Sequence, residues 1–111
     1  MKMTNKDVAI TFEDTVYDFG DIGHQDSTAS HSFIFKNTGM KPLVISKVET
    51  SCGCTTVAFP QQPIPSGEEG KIDVQLHSTQ LVPGHFDKEI RVYSNTLEGM
   101  NKLKIQGEIL P

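Results

Sequence analysis

The chain has 111 residues and a formal net charge of −4, from 10 Lys plus Arg against 14 Asp plus Glu. This length fits one domain. The mild acidity argues against a nucleic-acid-binding surface, which would need a basic stripe, so we expect no nucleic-acid partner. The longest apolar runs, such as Leu43-Val44-Ile45, span three residues, whereas a transmembrane segment needs ~20 and a signal peptide also needs a longer apolar region.

Branched residues dominate the composition, with seventeen Val plus Ile and ten Thr against three Ala. These side chains lose rotamer freedom on a helix but pack well on a pleated sheet, so they favour strands. Apolar and polar residues alternate along the chain, and no window has the apolar spacing of an amphipathic helix. The predicted strands, in chain order, are 9–13, 16–19, 31–36, 43–48, 55–59, 71–77, 89–93 and 102–106.

Turn-forming residues separate these segments. Asn37-Thr38-Gly39, followed by Lys41-Pro42, predicts a hairpin turn. The three prolines of 60–70 predict a loop, and 95–101 joins the last two strands. Short strands at this spacing indicate an all-β fold, an antiparallel β-sandwich of seven to eight strands without a helix. We expect a flexible N-terminal segment over 1–8 and a single sandwich domain over 9–111.

The period of two also predicts which side chains face the interior, because alternate residues of a strand lie on one face. The predicted core consists of Phe33, Phe35, Ile72, Val74, Leu76, Ile90, Val92, Leu103 and Ile105. His31 precedes Phe33 by two residues and shares its inward face, which predicts a buried, hydrogen-bonded structural histidine.

Several motifs occur in the order that is typical of a known family. They are YDFGDIG (17–23), FIFKNTG (33–39) with PLVI (42–45), SCGCT (51–55), PIPSGEEG (63–70), VYSN (92–95) and LKIQG (103–107). Each motif alone is weak, but together they cover nearly the whole chain, over about residues 9–109. In this order they resemble the bacterial "domain of unknown function 1573" family.

The resemblance implies an immunoglobulin-like sandwich akin to major-sperm-protein and PapD-type domains. Members of that family usually begin with an export or lipid-attachment signal. The resemblance therefore implies a periplasmic or cell-envelope-attached protein, although the chain as given carries no signal. The family has no established activity, so the resemblance implies neither a reaction nor a cofactor.

The first motif contains Asp18-Phe19-Gly20 close to a predicted strand end. We expect Phe19 to anchor the core and Gly20 to permit a turn or a β-bulge with a positive φ angle. In the second motif, Asn37 and Gly39 supply the turn chemistry after the strand that carries Phe33 and Phe35.

Cys52 and Cys54, separated by Gly53, have the most distinctive chemistry in the chain. Side chains at i and i+2 of a strand lie on one face, so we expect the sulfurs to be close together. Three interpretations stay open: packed structural thiols, a local disulfide across Gly53, and a metal or redox site with further ligands. We favour a structural site without metal, at which Gly53 permits a kink where a strand ends near one end of the sandwich.

No nucleophile, acid and base can be grouped from the sequence, so we expect neither an enzyme nor a cofactor. The leading hypothesis is a non-enzymatic binding or scaffolding module of the bacterial cell envelope, whose unknown protein partner pairs with an exposed strand edge. The alternative hypothesis is a thiol-based metal-binding or redox protein that uses Cys52 and Cys54.

Overall fold

The computed structural model describes residues 7–25 and 28–111, which form a two-layer β-sandwich. The strands are β1 (Ile10–Phe12), β2 (Val16–Gly23), β3 (Thr28–Asn37), β4 (Ile45–Thr50), β5 (Thr55–Ala58), β6 (Glu69–His77), β7 (Gly84–Ser94) and β8 (Met100–Leu110). Within these ranges the only helical element is the short 3-10 turn Ser78–Gln80, and no helix is long and apolar enough to cross a membrane. The predicted all-β sandwich is confirmed, and each predicted segment overlaps a strand.

The first sheet has the strand order β1-β3-β6-β5, and the second sheet has the order β2-β8-β7-β4. All pairs are antiparallel except β2 and β8, which run parallel. The sandwich is therefore antiparallel as predicted, apart from this one pair. The reason is a change of sheet between β1 and β2: Glu13 N still donates to Ile34 O of β3 (2.9 Å), whereas Thr15 O accepts from Lys104 N of β8 (2.8 Å).

The predicted core is confirmed, because all nine of its side chains are at most 1% exposed. Phe33 and Phe35 project from β3 toward the second sheet, whose inward residues Ile90 and Ile105 are also fully buried. The alternation of apolar and polar residues along each strand therefore predicts correctly which side chains face the core.

The N-terminal boundary differs from the prediction of a flexible segment over 1–8. Residues 1–6 lie outside the described residues. Val8 is buried in the core, and the Asp7 carbonyl oxygen accepts hydrogen bonds from Met40 N (2.6 Å) and Lys41 N (2.9 Å). Asp7 and Val8 thus belong to the folded domain, because the turn after β3 holds their backbone.

The turn after β3 is not a hairpin, since β3 lies in the first sheet and β4 in the second. Asn37 organises this crossing and is fully buried. Its Nδ2 atom donates to Lys41 O (2.9 Å) and to Ile64 O (2.8 Å), and its Oδ1 atom accepts from Gly39 N (2.9 Å). Turn-forming residues show where a chain bends but not which strand pairs next, and this is why the prediction of a hairpin is wrong.

Candidate functional site

Each sheet ends in two strands that are paired on one side only. These edge strands are β1 and β5 in the first sheet, and β2 and β4 in the second. β2 is the longest of them, with eight residues against three, four and six for β1, β5 and β4. An edge strand presents N–H and C=O groups that can bind an added strand, so length favours β2 as a docking site.

The backbone of β2 alternates between groups that face β8 and groups that face the edge. Thr15 O accepts from Lys104 N, and the parallel register pairs Val16 with Lys104 and Tyr17 with Ile105. In a parallel ladder every second residue bonds to the neighbour, so Thr15 and Tyr17 bond to β8. The N–H and C=O groups of Val16 and Asp18 therefore point toward the free edge.

A β-bulge interrupts β2 between Asp18 and Asp21, where the register against β8 shifts. Gly20 lies in this bulge with φ = +72°, and its N–H donates to Asp18 Oδ1 (2.8 Å). The prediction of a bulge with positive φ at Gly20 is thus confirmed. A bulge changes the direction of an edge strand and limits its pairing with other chains. Near its start, β2 therefore presents a regular edge only before the bulge, from Val16 to Asp18.

Aromatic side chains line the inner side of this edge. The Tyr17 ring stacks on the His31 ring of β3 with centroids 3.7 Å apart, and Phe19 meets Tyr17 edge-on at 4.9 Å. Tyr17 and Phe19 pack against the core but remain partly exposed. Phe19 therefore joins the core only at its margin. We call Tyr17, Phe19 and His31 the aromatic seam.

His31 has a different environment from the hydrogen-bonded one that we predicted. Its ring lies between Tyr17 and Phe33, the latter edge-on with centroids 4.6 Å apart. Its Nε2 atom is buried without a hydrogen-bond partner among the described residues, and the nearest carboxylate oxygen, Asp14 Oδ2, lies 3.6 Å away. Aromatic stacking therefore holds this histidine in place, and the Asp14 carboxylate lies beyond hydrogen-bonding distance.

Negative charge concentrates in the segment of the sequence that contains β2. Residues 7–35 contain six Asp and Glu but no Lys or Arg, so the remainder of the chain carries the compensating positive charge. Asp18, Asp21 and Glu108 line one surface cleft beside the bulge. Among the described residues, Glu13, Asp14, Asp18 and Asp21 form no ion pair with Lys or Arg. This lack of Lys and Arg is visible in the sequence, but our sequence-based prediction did not use it.

The opposite edge, β4, has its charges paired. Glu49 Oε1 accepts from the Tyr93 hydroxyl (3.1 Å), its Oε2 lies 3.3 Å from Lys47 Nζ, and Arg91 Nη2 lies 3.7 Å from Oε1. The hydrogen bond from Lys47, followed by that from Tyr93, holds the pKa of Glu49 below its ordinary value. Neutralised charges give this edge less electrostatic attraction for a partner than β2 has.

Cys52 and Cys54 form a disulfide in the connection between β4 and β5, with Cα atoms 5.1 Å apart. Free packed thiols are therefore excluded, and the disulfide interpretation agrees with the structure. Both sulfurs are bonded, so metal binding through them would first require reduction. Among the described residues, no three His, Cys, Asp or Glu side chains gather to hold a metal ion. In the chain-entropy model, such a short loop stabilises a fold by only about 1.6 kcal/mol.

Gly53 does not have the role that we predicted. A side chain at this position would meet no atom within 4 Å, and its φ angle is not positive. The expected kink between strands is present, because Thr55 N donates to Cys52 O (3.3 Å) in a turn. Nothing in the local backbone requires glycine there, so the kink depends on the hydrogen bonds of this turn and not on Gly53.

Comparison with known proteins supports the fold. The sequence model described as "Protein of unknown function (DUF1573)" matches residues 10–109. No curated protein matches the chain. Among solved structures, a protein of unknown function from Porphyromonas gingivalis W83 superposes with a TM-score of 0.80 at 15% identity, covering 96% of this chain and 49% of that one. The chain thus spans about half the length of that protein.

Two further structures show which folds are shared. The ASH/PapD-like domain 7 of human CEP192 has a TM-score of 0.73 at 10% identity, over 99% of this chain and 89% of that one. The periplasmic chaperone SfaE has a TM-score of 0.59 at 12% identity, over 93% and 58%. Likeness at these identities shows the fold alone, and the same fold occurs within proteases as well.

Proposed function

Since the match over residues 10–109 shows that the chain belongs to the DUF1573 family, we propose that it is a non-enzymatic protein-binding module of the bacterial cell envelope. Its binding site is the free edge of β2, and its ligand is an extended polypeptide segment. The observation that carries this proposal is the combination of edge-facing backbone groups at Val16 and Asp18 with the partly exposed aromatic seam behind them.

An extended segment beside β2 would extend the second sheet by one strand. Its backbone would bond to the N–H and C=O groups of Val16 and Asp18. Alternate side chains of the segment would point inward and cover Tyr17 and Phe19, which removes their remaining apolar surface from water. The other side chains would lie on the outer face next to Val16, which is 51% exposed, and Asp18.

The charge around β2 determines the chemistry of the segment. Asp18 and Asp21 have no Lys or Arg partner among the described residues, so Lys or Arg side chains on the outer face of an added strand would lie opposite carboxylates. Opposite charges across neighbouring strands are favourable and also accelerate association. The segment therefore alternates apolar residues with Lys or Arg. A second copy of β2 would bring like charges together.

The location in the cell envelope rests on two observations. The disulfide between Cys52 and Cys54 suits an oxidising compartment such as the periplasm, because cytoplasmic thiols are kept reduced. One protein of similar fold is a periplasmic chaperone.

Binding to designed peptides tests the proposal directly. One short peptide alternates valine with lysine, and a matched peptide has glutamate in place of lysine. We expect the lysine peptide to bind with an affinity that falls as salt rises from about 0.05 M to about 0.3 M, and the glutamate peptide to bind much more weakly. Amide chemical-shift changes on binding should map to β2 and to the aromatic seam.

Matched proline variants locate the edge that is used. Val16→Pro removes an edge-facing N–H from β2, and Val48→Pro makes the same change on β4. On β4, Ser51 N donates to Glu89 O of β7 (3.3 Å), so in the alternating antiparallel ladder Glu49 also bonds to β7 and the N–H of Val48 faces the edge. Binding should be lost only in Val16→Pro, with circular dichroism showing that both variants fold. Amide chemical-shift changes confined to β4 or β5 would contradict the proposal. Full peptide binding by Val16→Pro would contradict it as well.

A further inference from the structure

The disulfide between Cys52 and Cys54 has no part in binding at β2, and its two sulfurs differ in their surroundings. Cys54 is only 2% exposed and belongs to the core, whereas Cys52 packs at the margin of the core and is partly exposed. An external thiolate is therefore excluded from the buried Cys54 and can approach the bond only from the side of Cys52. Structural disulfides that resist reduction lack such access.

Polar groups surround both sulfurs in a way that suits bond cleavage. The backbone N–H of Cys54 donates to Cys52 Sγ (3.1 Å), and the Thr55 hydroxyl lies 3.5 Å from Cys54 Sγ. A sulfur without a proton accepts hydrogen bonds, so each donor would also stabilise negative charge on its sulfur after the S–S bond breaks. Each sulfur thus has its own donor.

The local backbone does not depend on the S–S bond. Thr55 N donates to Cys52 O (3.3 Å), His77 N donates to Cys54 O (2.7 Å), and the Thr50 hydroxyl donates to Cys52 O (3.1 Å). None of these hydrogen bonds uses a sulfur atom. The turn between β4 and β5 therefore keeps its hydrogen bonds when both cysteines are reduced.

We propose that Cys52 and Cys54 form a thiol–disulfide exchange site whose reaction partner is a dithiol. A thiolate of the dithiol attacks Cys52 Sγ, the S–S bond breaks, and its electron pair goes to Cys54 Sγ, which then takes a proton. The second thiol of the partner attacks the mixed disulfide and releases Cys52 as a thiolate, which is protonated in turn. The dithiol is oxidised to a disulfide, and the Cys52–Cys54 disulfide is reduced to two thiols.

Reduction of the whole chain under native conditions tests the site. Dithiothreitol is added, samples are quenched with a maleimide, and the number of bound maleimides is read by mass spectrometry. We expect both thiols to appear without denaturant while the far-ultraviolet circular dichroism is unchanged, and the melting temperature to fall by no more than about 10 °C. Reduction that proceeds only at the rate of global unfolding, or that abolishes the fold, would overturn the proposal.

Single variants test the difference between the sulfurs. Cys54→Ser leaves a thiol at Cys52, and Cys52→Ser leaves one at Cys54. Because thiol reactions require access, we expect a disulfide reagent, 5,5′-dithiobis(2-nitrobenzoic acid), to react at least about tenfold faster with Cys52. Equal rates, or a faster reaction at Cys54, would overturn the assignment of Cys52 as the attacked sulfur.

Thr55 provides the test of the leaving sulfur. Thr55→Val removes the hydroxyl beside Cys54 Sγ at nearly constant volume, and Thr55→Ser keeps the hydroxyl. We expect dithiothreitol to reduce Thr55→Val several-fold more slowly than the unmodified chain and to reduce Thr55→Ser at close to the original rate. Equal reduction rates for all three proteins would overturn the role of Cys54 as the leaving sulfur.

Discussion

Gly39 is in close contact with the backbone of the N-terminal segment at Ala9. A Cβ atom on Gly39 would stand 2.6 Å from Ala9 N and closer still to Asp7 O, both backbone atoms that cannot move aside. Gly53 is the matched control, since a Cβ there would meet nothing within 4 Å. We expect Gly39→Ala to lower the free energy of unfolding by about 1–3 kcal/mol and Gly53→Ala to change it by less than about 0.5 kcal/mol.

Chemical denaturation of the two variants measures this difference. If Gly53→Ala were as destabilised as Gly39→Ala, the turn that contains Cys52 and Cys54 would require glycine, as we predicted from the sequence. A neutral Gly39→Ala would mean that Asp7 and Ala9 separate from the turn at little cost.

Asn37 and Asn95 make similar hydrogen bonds in different environments. Asn37 is buried and bonds to Lys41 O, Ile64 O and Gly39 N, whereas Asn95 is exposed and bonds to Val44 N and Pro42 O. A buried group that loses its partner has no water to replace it, so we expect Asn37→Ala to cost about 2–4 kcal/mol of unfolding free energy. We expect Asn95→Ala to cost about 1 kcal/mol or less. If urea denaturation gave similar losses of unfolding free energy for Asn37→Ala and Asn95→Ala, burial would not determine the cost of losing these hydrogen bonds.

Phe35 tests the core register. Its side chain is fully buried, and its ring lies 5.7 Å from the ring of the partly buried Phe12. Truncation of a buried Phe leaves a cavity that the core fills only in part, so we expect Phe35→Ala to cost about 3–5 kcal/mol. Phe12→Ala should cost clearly less, because water already reaches that ring. A cost below about 1 kcal/mol for Phe35→Ala would place the side chain at the surface.

The sequence predicts strands and core well because alternation is a local property. Phe33, Ile72 and Ile105 each face the interior, as their alternate positions along the strands predict. Strand direction and partner are not local, and this is why the parallel pairing of β2 with β8 and the crossing from β3 to β4 were missed. The sequence shows that the chain turns at Asn37. The hydrogen-bond partners of the Asn37 side chain, such as Ile64 O, lie far along the chain and could not be predicted locally.

The candidate site was predictable only in part. An exposed edge for a partner could be expected of any sandwich, but the choice of β2 depends on where the chain changes sheet, after Glu13. The proximity of Cys52 and Cys54 followed from their spacing, whereas the difference in burial between the two sulfurs arises from tertiary packing. Gly53 was misjudged because a glycine between two cysteines suggests a conformational need that the backbone does not have.

Glu49 makes stability depend on acidity. Hydrogen bonds from Lys47 and Tyr93 lower its pKa in the folded protein below the ordinary value of 4.5. A carboxylate with a lowered folded-state pKa stabilises the fold above its unfolded pKa, and this contribution is lost as the pH falls through the folded value. We expect Glu49→Gln to be less stable than the unmodified chain near neutral pH, with the difference shrinking below pH 4.5.

Urea denaturation at a series of pH values measures this effect, with Glu98→Gln as the control. Glu98 is exposed and forms no ion pair among the described residues. A constant difference between Glu49→Gln and the unmodified chain across the acid range would show that the ionised carboxylate is not what stabilises β4.

Gly20 has a backbone conformation that side-chain-bearing residues rarely adopt. It has φ = +72°, and a Cβ there would meet nothing within 4 Å, so only backbone strain opposes substitution. Non-glycine residues cost about 1–2 kcal/mol in this conformation, and asparagine tolerates it better than alanine. We therefore expect Gly20→Ala to lower the free energy of unfolding by about 1–2 kcal/mol and Gly20→Asn to lower it by about half as much, both measured in urea. If alanine and asparagine were equally tolerated, the bulge would have moved, and amide exchange at Asp18 and Asp21 would then reveal a regular β2 edge in place of the interrupted one.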